Sequence, residues 1–419
     1  MLFRSPRARV VMELRRDARA ASHPHESRHG LSLVSLLAAP QLDCMSAVSR
    51  LFHPLCGSNP ATLLRLLATN GALAPGRIPQ AAIAAAAVCL RLPFSTAERL
   101  AMSLRHRHQP AMPAPVYIVG YWRSGTTHVH NVLSRAEQFG HVSPLTAGLP
   151  WDALGLARAL APLLKRALPS DRYVDNVRVT PDSPQEDSIA LSNMLPLSYY
   201  HGLYFPQRFR HHFERGVFFD GCRPDEIEQW RDTLVYFLHK AWLQQGRKRL
   251  LMKNPVYTGQ LSRLHAIWPD AKFIHIYRNP YVLLPSTRHF FTRLLPELAL
   301  QHYADVNVDE LILSSYPRMM NALLADAAVL PGTSFVDVRF EDFEADPLSQ
   351  LARIYRTLAL GDFEADRSRF ESYLAQVRDY RKNRYAFDPQ DIGLVERRWA
   401  TFIERFGYAR PQRPEGHLN

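Results

Sequence analysis

The stretch Pro115–His128, PVYIVGYWRSGTTH, constrains the fold more than any other part of this chain. Four apolar residues, Val116, Tyr117, Ile118 and Val119, run unbroken into Gly120. A short apolar run bounded by turn residues suits a parallel strand buried on both faces. A helix-compatible segment begins near Thr126, so strand passes to helix through a turn holding Arg123, Ser124, Gly125, Thr126 and Thr127. Gly125 lets the backbone approach an anion closely, while the hydroxyls and the first N–H groups of the helix supply donors. Arg123 adds a permanent, forked cation. These are the parts of a phosphate cradle. The plainer alternative is a glycine turn with capping threonines.

Gly120 and Gly125 are separated by four residues, the spacing of the nucleotide loop GxxxxGK[ST], but Thr126 stands where the lysine belongs. Without that lysine the contact to the β- and γ-phosphates is lost, which disfavours ordinary ATP chemistry. The cation has moved upstream, to Arg123. A second apolar run, Lys272–Ile276, leads through Tyr277 into Arg278-Asn279-Pro280, with Ser286 eight residues after the arginine. Pro280 suits the first turn of a helix, where its missing N–H costs nothing. Arg278 at the strand end and Ser286 two turns into the helix form a pair able to clamp a second phosphate. Taken alone, Arg278 reads equally as an exposed strand-end arginine.

Together the two motifs resemble the sulfotransferase superfamily that uses 3′-phosphoadenosine-5′-phosphosulfate (PAPS). A third segment agrees with it: Phe335–Phe340, then Glu341-Asp342-Phe343 and Ala345-Asp346-Pro347, leading into a helix. The resemblance spans about Pro115 to Tyr408. It implies that Arg123, Ser124, Gly125, Thr126 and Thr127 hold the 5′-phosphosulfate, and that Arg278 and Ser286 hold the 3′-phosphate. It also implies a basic loop closing over the 3′-phosphate, matched here by Arg381-Lys382, although Asn383 replaces the expected glycine. The fold expected is α/β: a P-loop-like three-layer α/β/α core around a central parallel sheet, with an N-terminal helical extension.

Sulfuryl transfer needs an aligned donor, stabilisation of charge on the leaving phosphate oxygen, and a base for the acceptor's proton. Arg123 is assigned the second role with Lys253 as its helper, because Lys253 follows the strand-like Leu250-Leu251-Met252 and projects where sites in open α/β sheets gather. The cytosolic branch of the family carries a KTH-type segment whose histidine is the base. Here the matching segment is Lys253-Asn254-Pro255, with proline in the histidine's place. The base is therefore sought in Pro181–Asp187 (PDSPQED), with Glu186 first and Asp187 second, at a helix start that favours carboxylates. A capping box from Ser183 to Glu186 is the competing explanation. Glu137 lies inside a helix and is a poor candidate. His128, His130 and His141 have no metal-ligand spacing, so no metal is assigned.

The net charge of +12 favours an anionic partner, for which PAPS already accounts in part. No helix-turn-helix, zinc-finger or RNA-binding signature is present, so nucleic acid is excluded as a partner. Four cysteines (Cys44, Cys56, Cys89, Cys222) without CxxC spacing argue against a disulfide framework and fit a reducing cytoplasm. Residues 1–30 read as a flexible basic tail, 31–110 as a helical N-terminal extension, and 111–412 as the sulfotransferase domain. The most apolar window, Ile78–Leu92, reads as too short for a span of about 20 residues. Its Ala/Leu faces and flanking arginines leave peripheral membrane contact open beside a simple capping role. The expectation is thus a cytoplasmic or membrane-peripheral enzyme acting on a hydroxyl or amine of a glycan, lipid or small metabolite. A P-loop phosphotransferase and a non-catalytic nucleotide-binding or membrane-surface protein are the alternatives.

Overall fold

The computed structural model describes residues 53–106, 110–162, 182–378 and 387–411. Five strands form one parallel sheet: β1 (Val116–Val119), β2 (Phe139–Gly140), β3 (Arg249–Lys253), β4 (Lys272–Tyr277) and β5 (Phe335–Arg339), in the order β2-β3-β1-β4-β5. Register is set on the central strand, where Val116 stands opposite Leu251 on one side and Lys272 on the other. Every residue of β1 is buried, as the unbroken apolar run requires of a strand covered on both faces.

Alternation along the strands divides the core into layers. Tyr117, Val119, Met252 and Phe273 face one layer, packed against Trp230, Leu234 and Phe237 of the helix Pro224–Gln244. Val116, Ile118, Ile274 and Val338 face the other, against Val129 and Val132 of the helix Thr126–Leu133 and Leu351 and Ile354 of Pro347–Leu358. This is the three-layer α/β/α arrangement. A third apolar cluster lies among the helices, joining Trp122, Tyr199, Phe213, Phe291 and Trp399 to Leu63, Leu66, Ala84 and Val88. The last four belong to the helices Pro60–Thr69 and Ile78–His106, so this part of the N-terminal region shares core with the rest of the unit Ser49–Asn419. The 1–30 tail lies outside the described residues.

The apolar window near residue 80 is longer than the sequence reading allows. Pro79, Gln80 and Arg91 border it in the sequence, yet the helix Ile78–His106 runs on through Arg91 and Pro93 for 29 residues. Arg91 does not interrupt it because its guanidinium folds inward onto Asp152. Among the described residues this is one helix long and apolar enough to cross a membrane by length and composition.

Candidate active site

β1 ends at Val119 because Gly120 turns the chain with φ at +146°, and its N–H donates to Thr258 Oγ1 at 2.8 Å. A side chain there would strike the Ile276 carbonyl of β4, placing a Cβ 2.3 Å from its oxygen. Arg123 adopts φ +68° and Gly125 φ +101°, so the backbone from 123 to 125 curls in a way that L residues rarely sustain. Gly125 is the N-cap of Thr126–Leu133, with no side-chain capping bond. The threonines therefore do not cap this helix, contrary to the plainer alternative. A Cβ at Gly125 would lie 2.1 Å from Cδ2 of Phe340, so the loop closes only because the residue is glycine. Ser124 Oγ is buried without a hydrogen-bond partner and turned toward Gly120.

The two motifs meet directly. Arg123 Nε donates to Ser286 Oγ at 3.2 Å, and Arg278 Nη1 donates to the Arg123 carbonyl at 3.2 Å. Ser286 is buried in the helix Pro280–Leu298, which Asn279 caps by accepting from the Tyr281 N–H. The Arg278 guanidinium lies over the Phe340 ring, 4.8 Å from its centroid, so one aromatic side chain bounds Gly125 and supports Arg278. The third segment ties this corner together. Glu341 accepts from the Asn279 N–H at 3.0 Å and from the Tyr408 hydroxyl at 2.9 Å.

Across the strand ends, Lys253 closes β3 and donates through Nζ to Glu186 in a close ion pair. The Lys253 side chain is only 4% exposed and that of Glu186 19%, so the carboxylate forms the more open half of the pair. The helix following the PDSPQED segment begins at Ser188, with Asp187 as N-cap and no side-chain capping bond. Glu186 therefore does not complete a capping box, and the competing explanation from sequence falls away.

Asp187 needs a correction. The sequence reading turns it toward the cleft as a second base, whereas it is wholly buried. Asn254 Nδ2 donates to it at 2.8 Å and the Tyr257 hydroxyl donates in a shorter contact. Burial pushes its carboxyl up to about 6 despite those donors. Its neighbours bind the 186–187 turn to the Lys253-Asn254-Pro255 segment, making it a positioning residue. Burial also holds the His130 imidazole well below its ordinary value, with the nearby Lys253 charge adding to the effect. His130 contacts the Leu251 carbonyl, and His128 packs edge-on to Phe343. Glu137 lies beyond the end of the helix Thr126–Leu133, not inside it, and pairs with Arg369. Arg381 and Lys382 lie outside the described residues, and no metal-binding cluster occurs among those described.

Thr258 and Tyr257, and the parts played by Phe340 and Asn254, are not legible in the sequence. Only the position of Phe340, directly after a strand and before Glu341-Asp342, offered a signal.

The strand order places this group of side chains where the winding of the sheet reverses, at the carboxyl ends of β1, β3 and β4. A depression of about 320 Å³ lined by Arg135, Arg369 and Tyr373 lies at the opposite end of Thr126–Leu133 and contains none of these residues.

The profile of the "Sulfotransferase family" matches residues 115–364. This chain belongs to the sulfotransferase family. It is 32% identical over 296 residues to the omega-hydroxy-beta-dihydromenaquinone-9 sulfotransferase Stf3 of Mycobacterium bovis, covering 71% of this chain and 76% of that protein. The Stf3 of Mycobacterium tuberculosis matches to the same extent. Among solved structures, sulfotransferase STF9 from Mycobacterium avium superposes with a TM-score of 0.66 at 16% identity, over 84% of this chain and 91% of that one. Sulfotransferase STF1 from Mycobacterium tuberculosis gives 0.59 at 19% identity, over 81% and 90%. These two structures speak for the fold of this sulfotransferase.

Proposed function

We propose that this sulfotransferase moves the sulfuryl group of PAPS to a hydroxyl at the end of a lipid chain, with Glu186 as the base. The observation that carries the proposal is that Arg123, Arg278 and Ser286 meet, and the Lys253–Glu186 pair forms, at the same end of the sheet. The residues present fit a donor with two phosphate positions. Gly125 lets the turn close against Phe340, and two guanidiniums and one ammonium supply charge of the required sign.

Arg123, Ser124, Gly125, Thr126 and Thr127 would hold the 5′-phosphosulfate. Arg278 and Ser286, with Arg381 and Lys382, would hold the 3′-phosphate. When bound, the donor supplies a sulfuryl group on a phosphate leaving group. Glu186 takes the proton of the acceptor hydroxyl as its oxygen bonds to sulfur and the sulfur–oxygen bond to the phosphate breaks. Lys253 and Arg123 stabilise the charge that collects on the departing oxygen. Lys253 thereby exchanges part of its contact with Glu186 for the leaving group, which releases the carboxylate at the moment a base is needed.

The choice of a lipid alcohol rests on the relatives named for an omega-hydroxylated menaquinone. The test is calorimetric titration with adenosine 3′,5′-bisphosphate, with ADP and ATP–Mg²⁺ as controls. Tight binding of the bisphosphate is expected, weakened roughly 10- to 150-fold by Arg278→Ala, the value of one charged hydrogen bond to phosphate. Preference for ATP–Mg²⁺ would move the protein to phosphoryl transfer. A labelled donor offered with a long-chain terminal alcohol, a phenol and a sugar then decides the acceptor, and label on the phenol or sugar alone would overturn the lipid assignment.

A further inference from the structure

Most surface helices turn charge outward and apolar residues inward. Ile78–His106 buries Ala84, Val88 and Met102 inward but carries a second apolar stripe on its outer side. Ala86, Leu90, Phe94, Ala97, Leu100 and Leu104 recur every three or four residues along its exposed side. Leu90 is 76% exposed, Leu104 67%, Leu100 61% and Phe94 53%, so the stripe is bare for most of the helix's length. Two of the helix's charges, Arg91 and Glu98, point the other way. Arg91 pairs with Asp152, and Glu98 pairs with the fully buried Lys240 and accepts from the Leu154 and Gly155 N–H groups.

We propose that this outer face seats the protein on the surface of an anionic lipid bilayer. Charge decides for that occupant. Between Asp43 and Glu137 the chain has a single acidic residue, Glu98, against nine arginines. Since Glu98 is turned inward, the stripe presents no carboxylate of its own helix, while Arg99 and Arg158 stand exposed near its second half. An apolar strip with arginines beside it is what an interfacial helix offers to headgroups above an acyl layer. The inward ion pairs also decide that the helix lies on the bilayer. Crossing it would tear Glu98 from Lys240 and carry Arg91, Glu98 and Arg99 into hydrocarbon.

The experiment is flotation of the full chain with vesicles of phosphatidylcholine and phosphatidylglycerol in equal parts, against vesicles of phosphatidylcholine alone. Binding is expected on the anionic vesicles, weaker on the neutral ones, and falling with added salt as the arginine contribution is screened. Leu90→Glu with Leu100→Glu is expected to reduce vesicle binding at least about tenfold, since each buried leucine contributes strongly to insertion. Both side chains lie in solvent, so the thermal transition and the affinity for adenosine 3′,5′-bisphosphate are expected to stay unchanged. That pair of controls separates the docking face from the donor site, and failure of one leaves the other standing. Absence of flotation by the full chain would overturn the proposal. So would a concentration-dependent dimer that the double variant dissolves, which would give the face to a second copy.

Discussion

Glu186→Gln tests the central assignment because one substitution removes both the proposed base and a counter-ion of Lys253. In the wild type the Lys253 ammonium is 4% exposed and its partner carboxylate 19%, so the pair sits largely away from water. Removing one member of a buried pair outright costs about 3–5 kcal/mol. Glutamine keeps a carbonyl that still accepts from Lys253, so the expected loss is nearer the value of a charged hydrogen bond, about 1.5–3 kcal/mol. The loss of the base should lower turnover by about 100- to 10,000-fold. Donor binding should persist, because the substitution leaves Arg123, Arg278 and Ser286 in place and makes Lys253 more available to an anion. Adenosine 3′,5′-bisphosphate should therefore raise the melting temperature of the variant more than that of the wild type, as the ligand replaces the missing countercharge. Single-turnover rates with labelled donor and calorimetric melts with and without the bisphosphate measure both effects. A rate within about threefold of wild type, a barrier change under 1 kcal/mol, would refute the role of Glu186 as base. A smaller ligand-induced rise than in wild type would refute the exchange of partners at Lys253.

Arg123→Ala should cost on the order of 100- to 1000-fold in rate while leaving the circular dichroism spectrum unchanged. Gly125→Ala combines φ +101° with a 2.1 Å approach to Phe340. The strained backbone costs about 1–2 kcal/mol and the overpacking about 1–3 kcal/mol, readable in a denaturant titration, and bisphosphate affinity should fall as Phe340 moves under Arg278. Asp187→Asn should change the pH dependence of stability. Burial raises the folded-state value to about 6 from 3.8, so the native protein keeps a proton that the unfolded chain gives up between those values. That contribution is fully present below 3.8 and is lost as pH rises through about 6, amounting to roughly 3 kcal/mol at most. The stability of wild type relative to Asp187→Asn should accordingly decline from pH 4 to pH 7, and a constant difference in melts across that range would count against the assignment.

How much of the site was legible depended on how local its determinants are. The strand–glycine–helix turn at 116–127 could be read because an apolar run, two glycines and the threonines act within a dozen residues. The helix after Arg278-Asn279-Pro280 could be read from the proline and from Asn279 beside it. Asp187 misled because a carboxylate before a helix suits a cap, an open cleft or a buried network equally, and only Asn254 and Tyr257, some seventy positions away, choose among them. Glu186 was ambiguous for the same reason until the helix start at Ser188 removed its capping role. The helix Ile78–His106 was cut short because Arg91 reads as a polar boundary unless its partner Asp152 is known.

The sequence by itself determined the fold class, four of the five described strands and the two strand-to-helix turns that carry Arg123 and Arg278. Hydrophobic periodicity, glycine and proline act over a single turn or strand, where conformation follows from neighbouring residues alone. Tertiary structure decided which charges meet. Arg123 reaches Ser286, Lys253 reaches Glu186, and Phe340 lies between Gly125 and Arg278 because parallel pairing brings the ends of β1, β3, β4 and β5 to one edge of the sheet. It also decided that Arg91 and Glu98 of one long helix point inward and its leucines outward. A side chain's direction depends on the partner that folding places beside it, and no pattern within the helix records that partner.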